Sequence, residues 1–462
     1  MFVGRAKETA ALNSFYEKAK ERVACIYGRT GIGKTTLLKE FAKDKKTIYF
    51  TAYATTDEAE LAIFADAIGV DLPLYTLEIL LDEVSKIGSR EPVLLVIDHY
   101  PNFVKADPKY DEILYEYVTN KWLRMPIKVI LCGDSYLAME KKVFGKKGRW
   151  KDVLSLAMEV SPMDFYDARQ FFPTAKEEEA LMFYGMTGGI PYALTKLDGD
   201  VESSMMRLFL KEEDDATLLP ERTLSLELRE LSYYNRMLAT LAEGHTRVNA
   251  ISAAVGKPKD IVVPYMNTLI SIGVVKKENP VTEKTNRKKT QYKIISSYDR
   301  FWYKYVAPNM GLYYRGEFGR IIEEKIRPNL ADFKHQVFVD MCREYLMRSN
   351  GKEKLPFEIH EIGNWWENDE EKHTTSSFDL VALGENEGKS VIIFSRCYYT
   401  RTPVGIATLK ELIELTKHAK SKGEGDVYYL VFSNCGFHEN TQTVAATIKN
   451  IMLISLKEIC RE

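Results

Sequence analysis

Glycine, lysine and hydroxyl side chains crowd together near the start of the chain, in an order that suits polyphosphate binding. Residues 28–36 read Gly-Arg-Thr-Gly-Ile-Gly-Lys-Thr-Thr. Glycine has no Cβ atom, so such a loop can wrap a phosphate and turn its backbone N–H groups inward. Lys34 can reach the β- and γ-phosphate oxygens, and the Thr35 hydroxyl can ligate Mg²⁺. The predicted contacts to ATP are Gly28, Arg29, Thr30, Gly31, Ile32, Gly33, Lys34, Thr35 and Thr36.

The segments on either side of this run are those that a phosphate loop needs. Residues 23–27 are an apolar run that predicts a short buried strand, and residues 37–42 have the spacing of an amphipathic helix. The N-terminus of that helix adds partial positive charge beneath the same phosphates. A glycine-rich turn without a ligand is the alternative, and the two flanking elements weigh against it. Strand, loop and helix in this order predict a P-loop nucleotide site.

A second apolar run ends in an acidic residue. Residues 93–97 are all apolar and Asp98 follows them. This predicts a buried parallel strand with a carboxylate at its C-terminal tip, where open α/β sheets bind their ligands. Asp98 and Thr35 are therefore the predicted metal residues, with Asp98 acting on Mg²⁺ directly or through one of its ligands. An aspartate after a strand also commonly caps a helix, which is the alternative.

The next residue is His99, where hydrolytic ATPases of this type usually carry a glutamate that orients and deprotonates the attacking water. An imidazole with a pKa near ~6.5 can accept a proton, but it carries no fixed negative charge. We therefore predict Lys34, Asp98 and His99 as catalytic residues and expect slow hydrolysis. Turnover of ATP by the wild type and by His99→Glu tests this expectation.

Other polar residues occupy positions from which they could contact the nucleotide. Arg5 lies in a turn before a surface helix, and its place ahead of a phosphate loop makes it a candidate contact. Asp134 and Ser135 follow the buried strand at 127–133, where ATPases of this architecture carry a polar sensor of the γ-phosphate. The basic run at 141–151 is either a solvated face or a contact to phosphate, nucleic acid or a neighbouring subunit.

Bulk composition limits the classes of protein. A chain of 462 residues is expected to form about three domains. The formal net charge of −2 gives no overall attraction to nucleic acid, so any such affinity must come from local patches. Six scattered cysteines without paired spacing argue against a zinc site and a disulfide framework. With no signal peptide or membrane-spanning run in the sequence, we expect a cytoplasmic protein and no membrane partner.

These motifs resemble the archaeal-type ATPases, a prokaryotic branch of the AAA+-related signal-transduction ATPases with numerous domains. The likeness rests on residues 2–5, 28–36, 93–98, 131–133, 144–147 and 188–191. The resemblance implies a parallel sheet with a helical lid and ATP bound between them. Four positions depart from the family pattern: Ala6 replaces an acidic residue, His99 replaces a glutamate, and the lysines at 146 and 147 replace arginines. These departures weigh against efficient hydrolysis and against an arginine finger.

The middle of the chain reads as three helices followed by two short strands. The predicted helices are 234–242, 248–255 and 260–272, and the predicted strands are 274–277 and 291–295. This order predicts a winged helix-turn-helix. From Lys276 to Lys293 there are seven basic and two acidic residues, which favours phosphate contacts at the wing. The candidate nucleic-acid contacts are Lys284, Arg287, Lys288 and Lys289. The alternative is a winged helix used for packing within the chain.

The last part of the chain alternates helices and apolar strands in the order of a restriction-endonuclease-like core. It resembles the C-terminal domain usually appended to archaeal-type ATPases, which is similar to PD-(D/E)XK nucleases. Such a nuclease needs an aspartate, a glutamate and a lysine two residues after it. Asp379 is present, but Arg396 and Tyr398 stand where the glutamate and lysine should be. Arginine cannot ligate Mg²⁺ and tyrosine lacks the positive charge, so we expect no DNA cleavage.

The whole sequence predicts an α/β fold with a P-loop NTPase parallel sheet and helical lid, a winged helix-turn-helix domain, and a C-terminal α/β restriction-endonuclease-like domain. The predicted domains are 1–215, 225–298, an aromatic connector at 299–325, and 326–462. We expect an ATP-binding, Mg²⁺-dependent signal-transduction-type ATPase or switch that hydrolyses slowly. Its candidate partners are ATP, double-stranded DNA and other protein subunits. The alternatives are an active ATP-dependent DNA-processing enzyme and a non-hydrolysing regulatory scaffold.

Overall fold

The computed structural model describes residues 2–71, 74–210, 216–369, 374–419 and 425–461. The chain divides into two compact units. The first contains Met1–Met163, Ile190–Ala193 and Leu218–Arg229, and the second contains Asp164–Gly189, Leu194–Thr217 and Glu230–Glu462. The acidic segment at 211–215, which we predicted as the end of the first domain, lies outside the described residues.

The first unit is built on a five-stranded sheet in the order β2-β3-β4-β1-β5, with every neighbouring pair parallel. Its strands are β1 Val23–Tyr27, β2 Thr47–Thr51, β3 Val93–Asp98, β4 Ile127–Gly133 and β5 Leu154–Glu159. Every residue of β3 is buried, as expected for a parallel strand covered on both faces. The predicted parallel α/β sheet is confirmed, and the carboxyl ends of β1, β3 and β4 lie side by side.

Helices alternate with these strands along the chain. They are α1 Ala6–Glu17, α2 Lys34–Ala42, α3 Asp57–Ile68, α4 Leu77–Gly88, α5 Tyr100–Ala106, α6 Lys109–Glu116 and α7 Tyr136–Met139. Two of them continue as π-helical turns, at Tyr117–Lys121 and Glu140–Phe144. Helix α2 begins at Lys34, directly after the last glycine of the run, so its first turn presents backbone N–H groups to the loop.

The chain then continues through further short helices. These are α8 Phe165–Arg169, α9 Glu177–Thr187, α10 Pro191–Leu194, α11 Val201–Phe209 and α12 Leu219–Glu227. The division into units differs from the predicted domain 1–215, because 164–189 pack within the second unit. The last eight residues of α9 are all buried, and a Cβ atom on Gly185 would lie 2.6 Å from Val337 Cγ2.

Three helices and a two-stranded hairpin follow within the second unit, close to the predicted positions. They are α13 Leu231–Ala242, α14 Val248–Val255, α15 Lys259–Ser271, β6 Val275–Glu278 and β7 Gln291–Ile294. The two strands are antiparallel. The aromatic segment beyond them forms α16 Ser297–Phe301, α17 Met310–Tyr313 and α18 Phe318–Arg320, interrupted by π-helical and 3₁₀ turns. Most of its aromatic rings are buried, whereas Tyr314 is 70% exposed. The buried rings are those of Tyr298, Phe301, Trp302, Tyr303, Tyr305 and Tyr313.

A long helix and a mixed sheet complete the second unit. The elements are α19 Leu330–Ser349, β8 Glu358–Asp369, β9 Thr374–Asn386, β10 Lys389–Tyr398, α20 Ile406–Ala419, β11 Asp426–Ser433, α21 Glu439–Ala446, β12 Ile451–Ser455 and α22 Leu456–Arg461. The sheet order is β12-β11-β10-β9-β8, parallel from β10 to β12 and antiparallel from β8 to β10. Within the described ranges, every helix is too short or too polar to cross a membrane.

A largely desolvated carboxyl group on α19 is expected to make the stability of the second unit depend on pH. Glu344 accepts a hydrogen bond of 2.7 Å from the Phe165 N–H and another from the Tyr184 hydroxyl. Burial raises the pKa of Glu344 from 4.5 to about 8, and the nearby Asp164 and Asp340 act in the same direction. The folded chain therefore holds a proton that the unfolded chain releases above about pH 4.5.

The free energy of unfolding is expected to fall as pH rises from about 5 to 8, by an amount on the order of a few kcal/mol. Replacing Glu344 by glutamine removes this proton and should flatten the dependence, so the variant is the more stable protein at pH 8. Urea unfolding at pH 5 and pH 8 measures the effect, with the exposed Glu353→Gln as control. Parallel pH profiles for wild type and Glu344→Gln would contradict this assignment.

Candidate nucleotide site

The glycine-rich run forms the loop between β1 and α2, in the place predicted for it. Gly28 has φ +152°, and a Cβ atom there would lie 2.5 Å from the Val160 carbonyl oxygen. Gly31 has φ +78°, a left-handed conformation that favours glycine. The loop backbone therefore depends on glycine at these two positions, as a loop that closes around phosphate requires.

The lysine of the loop has a buried ammonium group. The Lys34 side chain is 4% exposed. Its Nζ donates to the carbonyl oxygens of Gly28 at 2.8 Å and Arg29 at 3.0 Å, and it forms an ion pair with Asp134. The charge of the Lys34 ammonium is therefore neutralised by the Asp134 carboxylate in this structure.

Asp98 lies at the tip of β3 and accepts three hydrogen bonds. Its Oδ2 accepts from the Thr35 hydroxyl at 2.7 Å and the Tyr49 hydroxyl at 2.8 Å, and its Oδ1 accepts from the His99 N–H at 3.0 Å. The predicted metal pair, Thr35 and Asp98, is thus brought within hydrogen-bond distance. Hydroxyl and carboxylate oxygens are ligands that Mg²⁺ prefers, so these residues fit that ion.

His99 is oriented by the same aspartate that holds the lysine. Its Nδ1 lies 2.8 Å from Asp134 Oδ2. The hydrogen bond to Asp134 raises the pKa of His99. Burial alone would raise the pKa of Asp134, but the hydrogen bond from His99 and the charge of Lys34 lower it to about 2. Asp134 therefore links Lys34 and His99 into one hydrogen-bonded network of charged side chains beside the loop.

The backbone at His99 is unusual. It has φ +54°, and the non-glycine residues with positive φ in the described chain are Arg5, His99 and Glu387. Arg5 and His99 both lie next to the glycine-rich loop. Such conformations concentrate at functional sites, where the rest of the structure holds them in place.

Arg5 contacts the backbone of the glycine-rich loop. Its guanidinium donates to the Ile32 carbonyl at 2.8 Å and the Ser161 carbonyl at 2.6 Å, and it pairs with Glu8 at 2.8 Å. The residue is 4% exposed. Its contacts fix the loop backbone, so the geometry gives Arg5 a role in positioning the phosphate loop.

Ser135 caps the short helix α7 together with a residue that the sequence did not single out. Its hydroxyl accepts from the Ala138 N–H at 3.1 Å and donates to Glu227 Oε2 at 2.8 Å. Glu227 also accepts from the N–H groups of Tyr136 and Leu137. The loop after β4 is therefore tied to α12 through a partly buried carboxylate, and burial raises the pKa of Glu227.

The segment Ile190–Ala193 packs on the other side of the loop within the first unit. The Tyr192 N–H donates to the Gly31 carbonyl at 3.1 Å. A Cβ atom on Gly33 would lie 3.6 Å from Pro191 Cγ. The predicted Gly-Gly-Ile-Pro motif thus brings its last two residues against the glycine-rich run.

Two residues of this site were missed by the sequence analysis. Tyr49 reads as an ordinary apolar residue of β2, although its hydroxyl contacts Asp98. Glu227 lies more than ninety residues from Ser135 in the chain. Nothing in the local pattern of either residue points to the site, because both contacts depend on the tertiary fold.

The predicted wing residues lie in the second unit and most of their described contacts are with acidic groups. Lys284 pairs with Glu361 on β8, and Lys289 pairs with Glu283 at 2.9 Å and Glu367 at 3.7 Å. The Val281 N–H, on the same segment, donates to the Asn364 carbonyl at 2.9 Å. Arg287 and Lys288 form a 3₁₀ turn with Lys289. The segment between β6 and β7 therefore packs on the mixed sheet.

Asp379 of the nuclease-like pattern also has a structural hydrogen bond. Its Oδ2 accepts from the Cys397 N–H at 2.8 Å, which links β9 to β10. In the basic run at 141–151, Arg149 pairs with the buried Asp111 at 2.8 Å and the Trp150 indole donates to the same carboxylate. These two predicted functional segments thus contain residues that stabilise their own surroundings.

The fold and the site together define a P-loop ATPase domain. Residues 2–197 match the family of an ATPase domain predominantly from Archaea, and residues 302–408 match a family of archaeal and bacterial proteins of unknown function. The first match confirms the predicted archaeal-type P-loop ATPase at the N-terminal part of the chain. It supports ATP binding at the loop described above.

The chain is also similar to two individual proteins. An uncharacterized protein of Methanocaldococcus jannaschii is 28% identical over 399 residues, which cover 85% of this chain and 87% of that protein. A solved Walker-type ATPase of Pyrococcus abyssi superposes with a TM-score of 0.51 at 18% identity, covering 65% of this chain and 96% of that one. The structural likeness shows a shared fold.

Proposed function

We propose that the protein is an ATP-dependent, Mg²⁺-dependent molecular switch that hydrolyses ATP slowly. The observation that carries this proposal is the position of Asp134, whose carboxylate joins Lys34 to His99 beside the loop. A nucleotide that draws Lys34 to its phosphates must break this ion pair. Binding of ATP would then change the contacts of His99 and of the loop after β4, where Asp134 lies.

Thr35 and Asp98 are the residues that would hold Mg²⁺, since their oxygens lie 2.7 Å apart at the strand tip. When bound, the ion supplies positive charge to the β- and γ-phosphates. Lys34 binds the same phosphates, and the α2 N-terminus offers backbone N–H groups to them. Tyr49 orients the Asp98 carboxylate through its hydroxyl.

Slow hydrolysis follows from the state of His99. A general base must be unprotonated to accept a proton from water. The Asp134 hydrogen bond raises the pKa of His99, so a larger share of the imidazole is protonated near neutral pH. A site of this kind favours sensing of bound ATP over its rapid turnover.

For the second unit, we propose a winged helix and a nuclease-like sheet that serve binding and packing within the chain. The pairs of Lys284 with Glu361 and Lys289 with Glu367 support the packing alternative for the wing. The replacement of the catalytic glutamate and lysine by Arg396 and Tyr398 supports loss of cleavage. Duplex DNA and other subunits are the candidate partners whose binding would follow the nucleotide state.

ATP turnover with and without duplex DNA separates the switch from a DNA-processing enzyme. We expect the wild type to bind ATP·Mg²⁺ and to turn it over well below the ~10 s⁻¹ typical of enzymes. At saturating ATP this rate should not change when duplex DNA is added. Supercoiled plasmid should remain intact in Mg²⁺ or Mn²⁺. Turnover stimulated by DNA, or nicking that disappears in Asp379→Ala, would favour the processing enzyme instead.

A further inference from the structure

A charged cavity of about 220 Å³ lies inside the second unit, and none of its lining residues belongs to the phosphate loop. The hairpin β6–β7 forms one wall and helix α19 forms another. Five cationic side chains line it: Lys276, Lys293, Arg300, Lys304 and Arg343. Three carboxylates also line the cavity, so positive charge is in excess. The imidazole of His335 adds a further hydrogen-bonding group.

The two hairpin lysines share one carboxylate. Lys276 and Lys293 are direct partners in the antiparallel register, an arrangement that is unfavourable for like charges unless something neutralises it. Glu278 pairs with Lys276 at 2.6 Å and with Lys293 at 2.9 Å. Burial alone would raise the pKa of Glu278, but the two lysines lower it to about 2. The single negative charge of Glu278 neutralises one of the two lysines, so this group of three side chains keeps a net charge of one positive unit.

Arg343 on α19 is a cation held by neutral groups. Its guanidinium donates to the Ile362 carbonyl at 3.1 Å and to Asn364 Oδ1 at 3.0 Å. Its buried Nε has no hydrogen-bond partner among the described residues, and the same holds for Nε of Arg300. Arg300 pairs with Asp340, whereas no described carboxylate lies within ion-pair distance of Arg343. Unpaired donors on a half-buried cation are costly unless an anion meets them.

We propose that this cavity binds a compact phosphate-bearing molecule, either inorganic phosphate or a small phosphate monoester. Arginine and lysine side chains both line this cavity, and these are the groups that recognise phosphate in proteins. The volume is below the ~300–1,000 Å³ of pockets for drug-sized ligands, which selects a small anion over a long one. The ligand joins the hairpin to α19 by bonding Lys293 on one side and Arg343 on the other.

The test uses the full chain with Lys34→Ala, so that the phosphate loop contributes little to phosphate binding. Inorganic phosphate and glycerol 3-phosphate are titrated at constant ionic strength, and the melting temperature is followed by calorimetry. We expect a saturable rise in melting temperature with phosphate concentration. Adding Lys293→Gln or Arg343→Gln should raise the half-saturating concentration about tenfold or more, since each removes a charged hydrogen bond to the ligand.

Lys277→Gln is the matched control. Lys277 is the exposed neighbour of Lys276 on the same strand and points to the other side of the hairpin. Its half-saturating phosphate concentration should equal that of the Lys34→Ala protein. This comparison separates binding at a specific site from general stabilisation by phosphate salts. Lys293→Gln serves if Arg343→Gln fails to fold. The proposal is overturned if both site variants titrate like Lys277→Gln, or if neither inorganic phosphate nor glycerol 3-phosphate gives a saturable shift.

Discussion

Replacing Lys34 by alanine is expected to lower the affinity for ATP·Mg²⁺ by about a hundredfold or more. Lys34 is the one side-chain cation that reaches into the loop from α2, and its ammonium already lies on the Gly28 and Arg29 carbonyls. Charged hydrogen bonds to phosphate contribute about 1.5–3 kcal/mol each, so losing two costs at least about two orders of magnitude. Calorimetric titration of ATP·Mg²⁺ against the wild type and the variant measures the change.

Lys43→Ala is the control for this substitution. Lys43 follows the same helix, is largely exposed and pairs only with Glu40 among the described contacts. It should bind ATP as the wild type does. Circular dichroism must show that Lys34→Ala remains folded, because Asp134 loses a partner in that variant. Equal affinities for Lys34→Ala and the wild type would remove the loop from the proposed function.

The parts of the site that are close in sequence could be predicted. Residues 28–36 carry their own signal, because loop, lysine and hydroxyl have a fixed spacing that the phosphate requires. Asp98 could be placed because an apolar run predicts a parallel strand and its last residue must lie at the carboxyl edge of the sheet. The strand order could not be derived in this way, since every β-α-β connection obeys the same local pattern.

The ion pair between Lys34 and Asp134 could not be predicted. It depends on β4 lying between β3 and β1, which brings Asp134 beside both Lys34 and His99. The sequence predicted a polar sensor at Asp134 and Ser135 but gave no reason to expect a carboxylate already bound to the lysine. Contacts of this kind depend on the order of the strands in the sheet. In the sequence the residues that make them are far apart, and nothing there indicates that they meet.

The extent of the first unit was also beyond local reasoning. Helix α9 reads as a lid helix after the sheet, yet its buried face packs on α19, about 150 residues later. The wing gives a second example. A basic segment with seven cations favours phosphate contact, and only the structure shows that Glu361 and Glu367 lie opposite it. A basic segment can bind phosphate or pair with acidic residues of the same chain, and the sequence of that segment alone does not decide between the two.

The second large effect is expected in turnover, from a double substitution. The ion pair of His99 with Asp134 means that His99→Glu alone would place two carboxylates side by side, and one of them would then be protonated. We therefore expect the single variant to gain little. His99→Glu combined with Asp134→Asn provides an ionised base and releases Lys34 to the phosphates. Its kcat should exceed that of the wild type by about a hundredfold or more.

Phosphate release at saturating ATP·Mg²⁺ measures these rates, and Asp134→Asn alone is the matched control. That variant frees Lys34 without adding a base, so it should bind ATP more tightly and still turn over slowly. A wild type that already hydrolyses ATP briskly and gains nothing from the double substitution would show that His99 is an adequate base. If the expected order is observed, the same carboxylate restrains both chemistry and binding, because Asp134 holds the lysine that recognises ATP and the imidazole that would activate water.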